Sequence, residues 1–224
     1  MLEEVEGDGG TCLTKTILIL GFSKFPGVPY NPAEGLVRHL AETNWTPDPT
    51  VAVDYQVLST TFAAAEQVTA KIHCQKPYDL ILAFGVDAQA DGFQLERVAR
   101  NFVSMQKLDA DGVTSTNPLI EKQGPEFLLS HVDVSGLADT LNAQGYRCRV
   151  SEDAGDYVCN FLYFKLLLKS RDSGDILFVH IPQIIAGEDK TEVSGFEMEV
   201  LTEGAKAITR QVLAEQLKLA ILQA

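Results

Sequence analysis

A chain of 224 residues, 46% of them hydrophobic, can bury one substantial core and lies near the upper end for a single α/β domain. Its 31 acidic against 18 basic residues give a formal charge of -13, which opposes binding to nucleic-acid phosphates and to anionic lipid surfaces. The acidic opening Met1-Leu2-Glu3-Glu4-Val5-Glu6 lacks the basic-then-apolar order of an export signal, and no stretch approaches the roughly 18 uninterrupted apolar residues of a membrane span.

The four cysteines, Cys12, Cys74, Cys148 and Cys159, show neither CxxC pairing nor clustering with histidine, so no zinc site or disulfide framework is expected. Reduced thiols in a cytoplasmic protein fit best, with no metal and no membrane or nucleic-acid partner.

Residues 1–12 read as an acidic lead-in, and 13–224 as one α/β domain. Thr16-Ile17-Leu18-Ile19-Leu20-Gly21 is a continuous apolar run bounded by glycine, the pattern of a strand covered on both faces. Asn31-Pro32 supplies an N-cap and a first helical residue for a helix to about Thr43. A strand over 51–58, an alanine-rich helix over 61–74 and a buried strand over 78–85 follow. Residues 102–127 are polar and turn-rich, a loop long enough to belong to a functional or interface element. The rhythm then resumes with a helix over 134–144, a strand over 147–150, a helix from Cys159 to Ser170, a strand ending at His180 and a terminal helix over 193–222. Strands alternating with helices predict an open α/β sheet with helices on both faces, a three-layer α/β/α sandwich around a twisted, mostly parallel sheet. Sites in such sheets gather at the carboxyl ends of the strands.

Cys159 opens an apolar helix, where the positive end of the helix dipole favours a thiolate. His180, at a strand end, is the natural base for such a thiol, and Glu96 is the nominated acceptor for the far ring nitrogen. Residue type alone favours bland roles: a core cysteine, a satisfied histidine, and a Glu96 exposed in the first turns of a helix beside Arg97 or Arg100. His39, His73, His131 and the other three cysteines receive no functional assignment.

Four blocks in order resemble the pyroglutamyl peptidase I family of cysteine peptidases: Gly21-Phe22 with Phe25 and Gly27 ahead of Asn31-Pro32, Glu96-Arg97-Val98-Ala99 followed by Asn101, Ala154-Gly155 through Cys159-Asn160, and His180-Ile181-Pro182. The resemblance implies a phosphorylase/hydrolase-like fold and a cytoplasmic, homo-oligomeric, cofactor-free enzyme that removes N-terminal pyroglutamate from peptides, with its triad on Cys159, His180 and Glu96. The chain departs from that pattern in the loop Gly85-Val86-Asp87-Ala88-Gln89-Ala90-Asp91-Gly92, where Ala90 stands at an arginine position and Val86 at a common glutamine position. The first turn also loses a proline and one glycine while keeping both aromatics.

Pyroglutamate is a flat, uncharged lactam whose pocket needs apolar faces. Phe22 and Phe25 can supply these, unless they serve as loop anchors, and Tyr157 and Val158 beside the thiol are further candidate substrate contacts. Two other readings stay open: a thiol hydrolase of the same fold acting on another small amide or acyl group, and a catalytically silent binding protein.

Overall fold

The computed structural model describes residues 15–73, 78–169, 174–184 and 197–222. The acidic lead-in, Cys12, Cys74, the end of the predicted helix at Ser170 and the predicted start of the terminal helix at Val193 lie outside these residues, as does the side chain of His73.

The first strand, β1 (Lys15–Phe22), is followed by α1 (Pro32–Glu42), β2 (Val51–Leu58), α2 (Phe62–His73) and β3 (Leu80–Asp87). Ile17 through Leu20 are all at most 3% exposed, as the unbroken apolar run requires of a strand with helices on both faces. The cap signal of α1 is realised: Oδ1 of Asn31 accepts a hydrogen bond from the Ala33 N–H, and Pro32 occupies the first turn. Gly21 permits close approach of this helix to β1, since a β-carbon there would stand 2.6 Å from the Ala33 carbonyl oxygen.

Two short strands, β4 (Phe93–Glu96) and β5 (Val98–Arg100), come next, then β6 (Phe127–Leu129), α3 (Val134–Ala143), β7 (Cys148–Ser151), α4 (Val158–Lys169), β8 (Asp175–Pro182) and α5 (Met198–Leu222). The main sheet has six strands in the order β2-β1-β3-β8-β4-β7. All neighbours are parallel except β4 and β8, which run antiparallel with Gln94 opposite His180. β5 and β6 pair separately, and the chain between them is the predicted turn-rich stretch.

Alternation along the strands sorts the core into two layers. Ile17, Ile19, Leu80, Leu82, Phe84, Phe93, Leu95, Leu177, Val179 and Ile181 pack with residues of α1, α3 and α5. Leu18, Leu20, Phe22, Ile81, Ala83, Ile176 and Phe178 pack with residues of α2 and α4. Gly85, Asp87, Gln94, Glu96 and His180 fall by the same alternation on the α2/α4 face. The helical, exposed alternative for Glu96 is therefore corrected: it ends a strand and is 0% exposed. The physical reason is local. Phe93 and Leu95 must face the core, and a period of two then turns Gln94 and Glu96 to the other side.

Candidate active site

Three of the predicted residues meet at the carboxyl edge of the sheet. The parallel register sets Gly85 beside His180, and the antiparallel one sets Gln94 on its other side, so Gly85, His180 and Gln94 form a row across three strands. Cys159, in the first turn of α4, lies over this row: a β-carbon on Gly85 would come within 2.9 Å of its Sγ. The positive φ of Gly155, +84°, turns the chain just before the helix.

His180 is hydrogen-bonded on both sides. Its Nδ1 donates to Oε1 of Glu96 at 2.7 Å, and its ring also bonds the side chain of Cys159. Burial pulls the imidazole's pKa down, but those two hydrogen bonds and the negative charges on Cys159 and Glu96 outweigh it and push the pKa up to about 10. Its two acidic neighbours thus favour the protonated ring. Glu96 Oε2 is buried with no hydrogen-bond partner among the described residues, so the imidazolium is the group that offsets this buried carboxylate. The ring of Phe178 lies against His180 at 4.9 Å between centroids, tilted by 54°, and Tyr163 Oη donates to the Glu96 carbonyl oxygen at 2.8 Å.

Sequence reasoning did not single out the groups that hold the helix in place. Asn160, 0% exposed, accepts from the Arg100 N–H at 2.9 Å and donates to the carbonyls of Arg100 and Phe102 at 2.8 Å each. Asp109, also buried, accepts from the N–H groups of Phe62, Asp111 and Val113 and so ties the turn-rich stretch to the start of α2. A buried Asn one residue after the thiol was visible in the sequence, but its partners lie about sixty residues away in the chain.

The predicted substrate contacts separate. Phe22 is 2% exposed and belongs to the core, whereas Phe25 is half-buried with its ring 5.9 Å from that of Tyr157. Tyr157 also meets Phe62 edge-on at 6.1 Å and donates its hydroxyl to the Leu108 carbonyl at 2.8 Å. Val158 is buried in the layer with α2. In the altered loop Val86 pairs with Ile181, on the face away from the thiol, and Ala90 is 6% exposed in a turn closed by its N–H on the Asp87 carbonyl. Asp87 is the residue of that loop's start that lies on the thiol's face. Cys148 is buried, and burial raises its thiol to about 12.

A thiol beside an imidazole and carboxylate pair, at the carboxyl edge of an α/β/α sheet, is the equipment of a cysteine-type hydrolase. The sequence model of the pyroglutamyl peptidase family (Peptidase_C15) matches residues 15–215. A pyrrolidone-carboxylate peptidase of Vibrio parahaemolyticus is 30% identical over 200 residues, covering 89% of this chain and 93% of that one. Among solved structures, the pyrrolidone carboxyl peptidase of Fervidobacterium islandicum superposes with a TM-score of 0.80 at 25% identity, covering 90% of this chain and 99% of that one. That of Thermococcus litoralis does so with a TM-score of 0.80 at 22% identity, over 92% and 96% of the two chains, a likeness of fold. The chain belongs to the pyroglutamyl peptidase family of cysteine peptidases.

Proposed function

We propose that this protein is an omega-peptidase that hydrolyses the bond after an N-terminal pyroglutamate, with Cys159 as nucleophile, His180 as proton carrier and Glu96 as the group that orients and charges His180. The observation that carries this reading is the hydrogen-bonded order Cys159, His180, Glu96 with the sulfur seated on Gly85. The Cys159 thiolate attacks the carbonyl joining pyroglutamate to the next residue. The imidazolium of His180 gives its proton to the departing amine, and the neutral ring then takes one from water as the acyl-enzyme is hydrolysed. The free N–H groups in the first turn of α4 would then serve as donors to the developing oxyanion. Phe25 and Tyr157 offer aromatic faces to the lactam, while Val158 anchors the start of α4 in the core beneath them.

The peptide substrate, a cytoplasmic location and a homo-oligomer complete the proposal; no helix among the described residues is long and apolar enough to cross a membrane. A second reading, a thiol hydrolase for another small amide or acyl group, is favoured by the altered loop at Val86 and Ala90 alone.

The test is release of a fluorescent amine from a pyroglutamyl amide by the wild type, by Cys159→Ala and by iodoacetamide-treated protein, with the labelled cysteine located by mass spectrometry. Turnover lost in both controls, with the label on Cys159, is the expected result. Rapid labelling of Cys159 without turnover in the wild type favours the second reading, and an unreactive Cys159 favours a silent binding protein.

A further inference from the structure

The strand order gives the site two sides. Phe25, following β1, lies to one side of Cys159 and Gly85, while His180 on β8 and Gln94 on β4 lie to the other. Because His180 hands its proton to the departing amine, the leaving peptide occupies the β8 side and the acyl group the aromatic side. This division rests on the pyroglutamyl-peptidase reading above.

Asp87 stands on the leaving side. It lies two residues beyond Gly85 on the same face, and its Oδ2 accepts a hydrogen bond of 2.9 Å from Nε2 of Gln94, the residue in register with His180. The bond joins β3 to β4 across β8, at the outer side of His180. Gln94 is only 4% exposed, so the amide is a fixed support, and the Gln89 N–H holds the second oxygen, Oδ1, at 2.9 Å. Both donors are neutral. No Lys or Arg among the described residues forms an ion pair with Asp87. A half-exposed carboxylate, held rigidly by neutral donors and in no ion pair among the described residues, attracts a cation from a substrate that leaves along this side.

We propose that Asp87, supported by Gln94, is a specificity-determining residue that selects substrates carrying a lysine or arginine side chain directly after the pyroglutamyl residue.

Three peptides, pyroglutamyl-lysyl, pyroglutamyl-glutaminyl and pyroglutamyl-glutamyl amides, test this through the rate of pyroglutamate release. The wild type is expected to prefer the lysyl over the glutaminyl peptide by about three- to five-fold in kcat/KM, the range of a partly screened ion pair, with the glutamyl peptide slowest. Asp87→Asn brings the ratio near one while keeping turnover of the glutaminyl peptide, and Asp87→Glu retains the preference. Asp139→Asn, an exposed charge on α3, leaves the ratio unchanged. Raising salt from about 0.05 M to about 0.5 M narrows the wild-type ratio, a readout that holds even if a variant fails to fold. A preference absent from the wild type, insensitive to salt, surviving Asp87→Asn or falling equally in Asp139→Asn overturns the proposal. Cleavage of none of the three peptides overturns the pyroglutamyl-peptidase reading itself, and cleavage of all at one rate overturns this proposal alone.

Discussion

The sulfur of Cys159 rests directly on the backbone of Gly85: a β-carbon added to that glycine would stand 2.9 Å from Sγ and equally close to the Phe178 ring. Real β-carbons do not tolerate such contacts, so Gly85→Ala must displace the thiol or the ring. We expect a loss of stability of about 1–3 kcal/mol, the usual cost of overpacking a tight site. kcat/KM should fall at least ten-fold while KM changes little, because reaction geometry is disturbed more than the aromatic pocket. Thermal unfolding together with steady-state kinetics checks both.

The charge state of His180 gives a pH prediction. Its pKa stands near 10 against an ordinary value of 6.5, so the stabilisation contributed by the charged ring is fully present below about 6.5 and is lost as pH rises through about 10. Activity that uses the imidazolium falls on the same alkaline limb. Glu96→Gln removes the carboxylate that helps hold the proton and moves the limb down by roughly one to two pH units. A limb that stays in place in a folded Glu96→Gln variant contradicts the assignment of Glu96.

Asn160 makes three hydrogen bonds from a fully buried position between α4 and the start of the turn-rich stretch. Asn160→Leu fills a similar volume but leaves two carbonyls and one N–H without their partner. The expected loss is about 2–4 kcal/mol, measured as a lowered midpoint in urea unfolding.

Tyr157 separates packing from polarity. Tyr157→Phe keeps the ring near Phe25 and Phe62 and removes only the bond to the Leu108 carbonyl, so KM should rise two- to three-fold with kcat unchanged. Tyr157→Ala removes the aromatic face and should raise KM by about ten-fold or more, read from the same substrate-saturation curves.

How far the sequence carried the structure depended on whether a residue's setting was local. β1 and β2 were legible because an unbroken or alternating apolar run has one economical burial. The cap at Asn31 was legible because its partners are two to three residues away. β4 escaped because four residues carrying Gln94 and Glu96 look like surface until Phe93 and Leu95 are known to face a core. Phe22 and Phe25 looked equivalent at a spacing of three; the strand continues through Phe22 and buries it, and only Phe25 reaches the turn. The support of Asp87 by Gln94 was invisible because it depends on a strand reversal that no local pattern announces.

The position of β8 has a consequence for biosynthesis. Among the described residues the last strand is inserted between β3 and β4, where it joins the β2-β1-β3 half of the sheet to the β4-β7 half. A nascent chain that has emerged only through α4 already carries its cysteine and its buried acid, yet it has neither the histidine nor a continuous sheet on which to seat them. Such distant pairing is slow to form. With the proposed triad, peptidase chemistry would wait until synthesis has passed Pro182, and the thiol would gain its histidine in the same event that closes the fold.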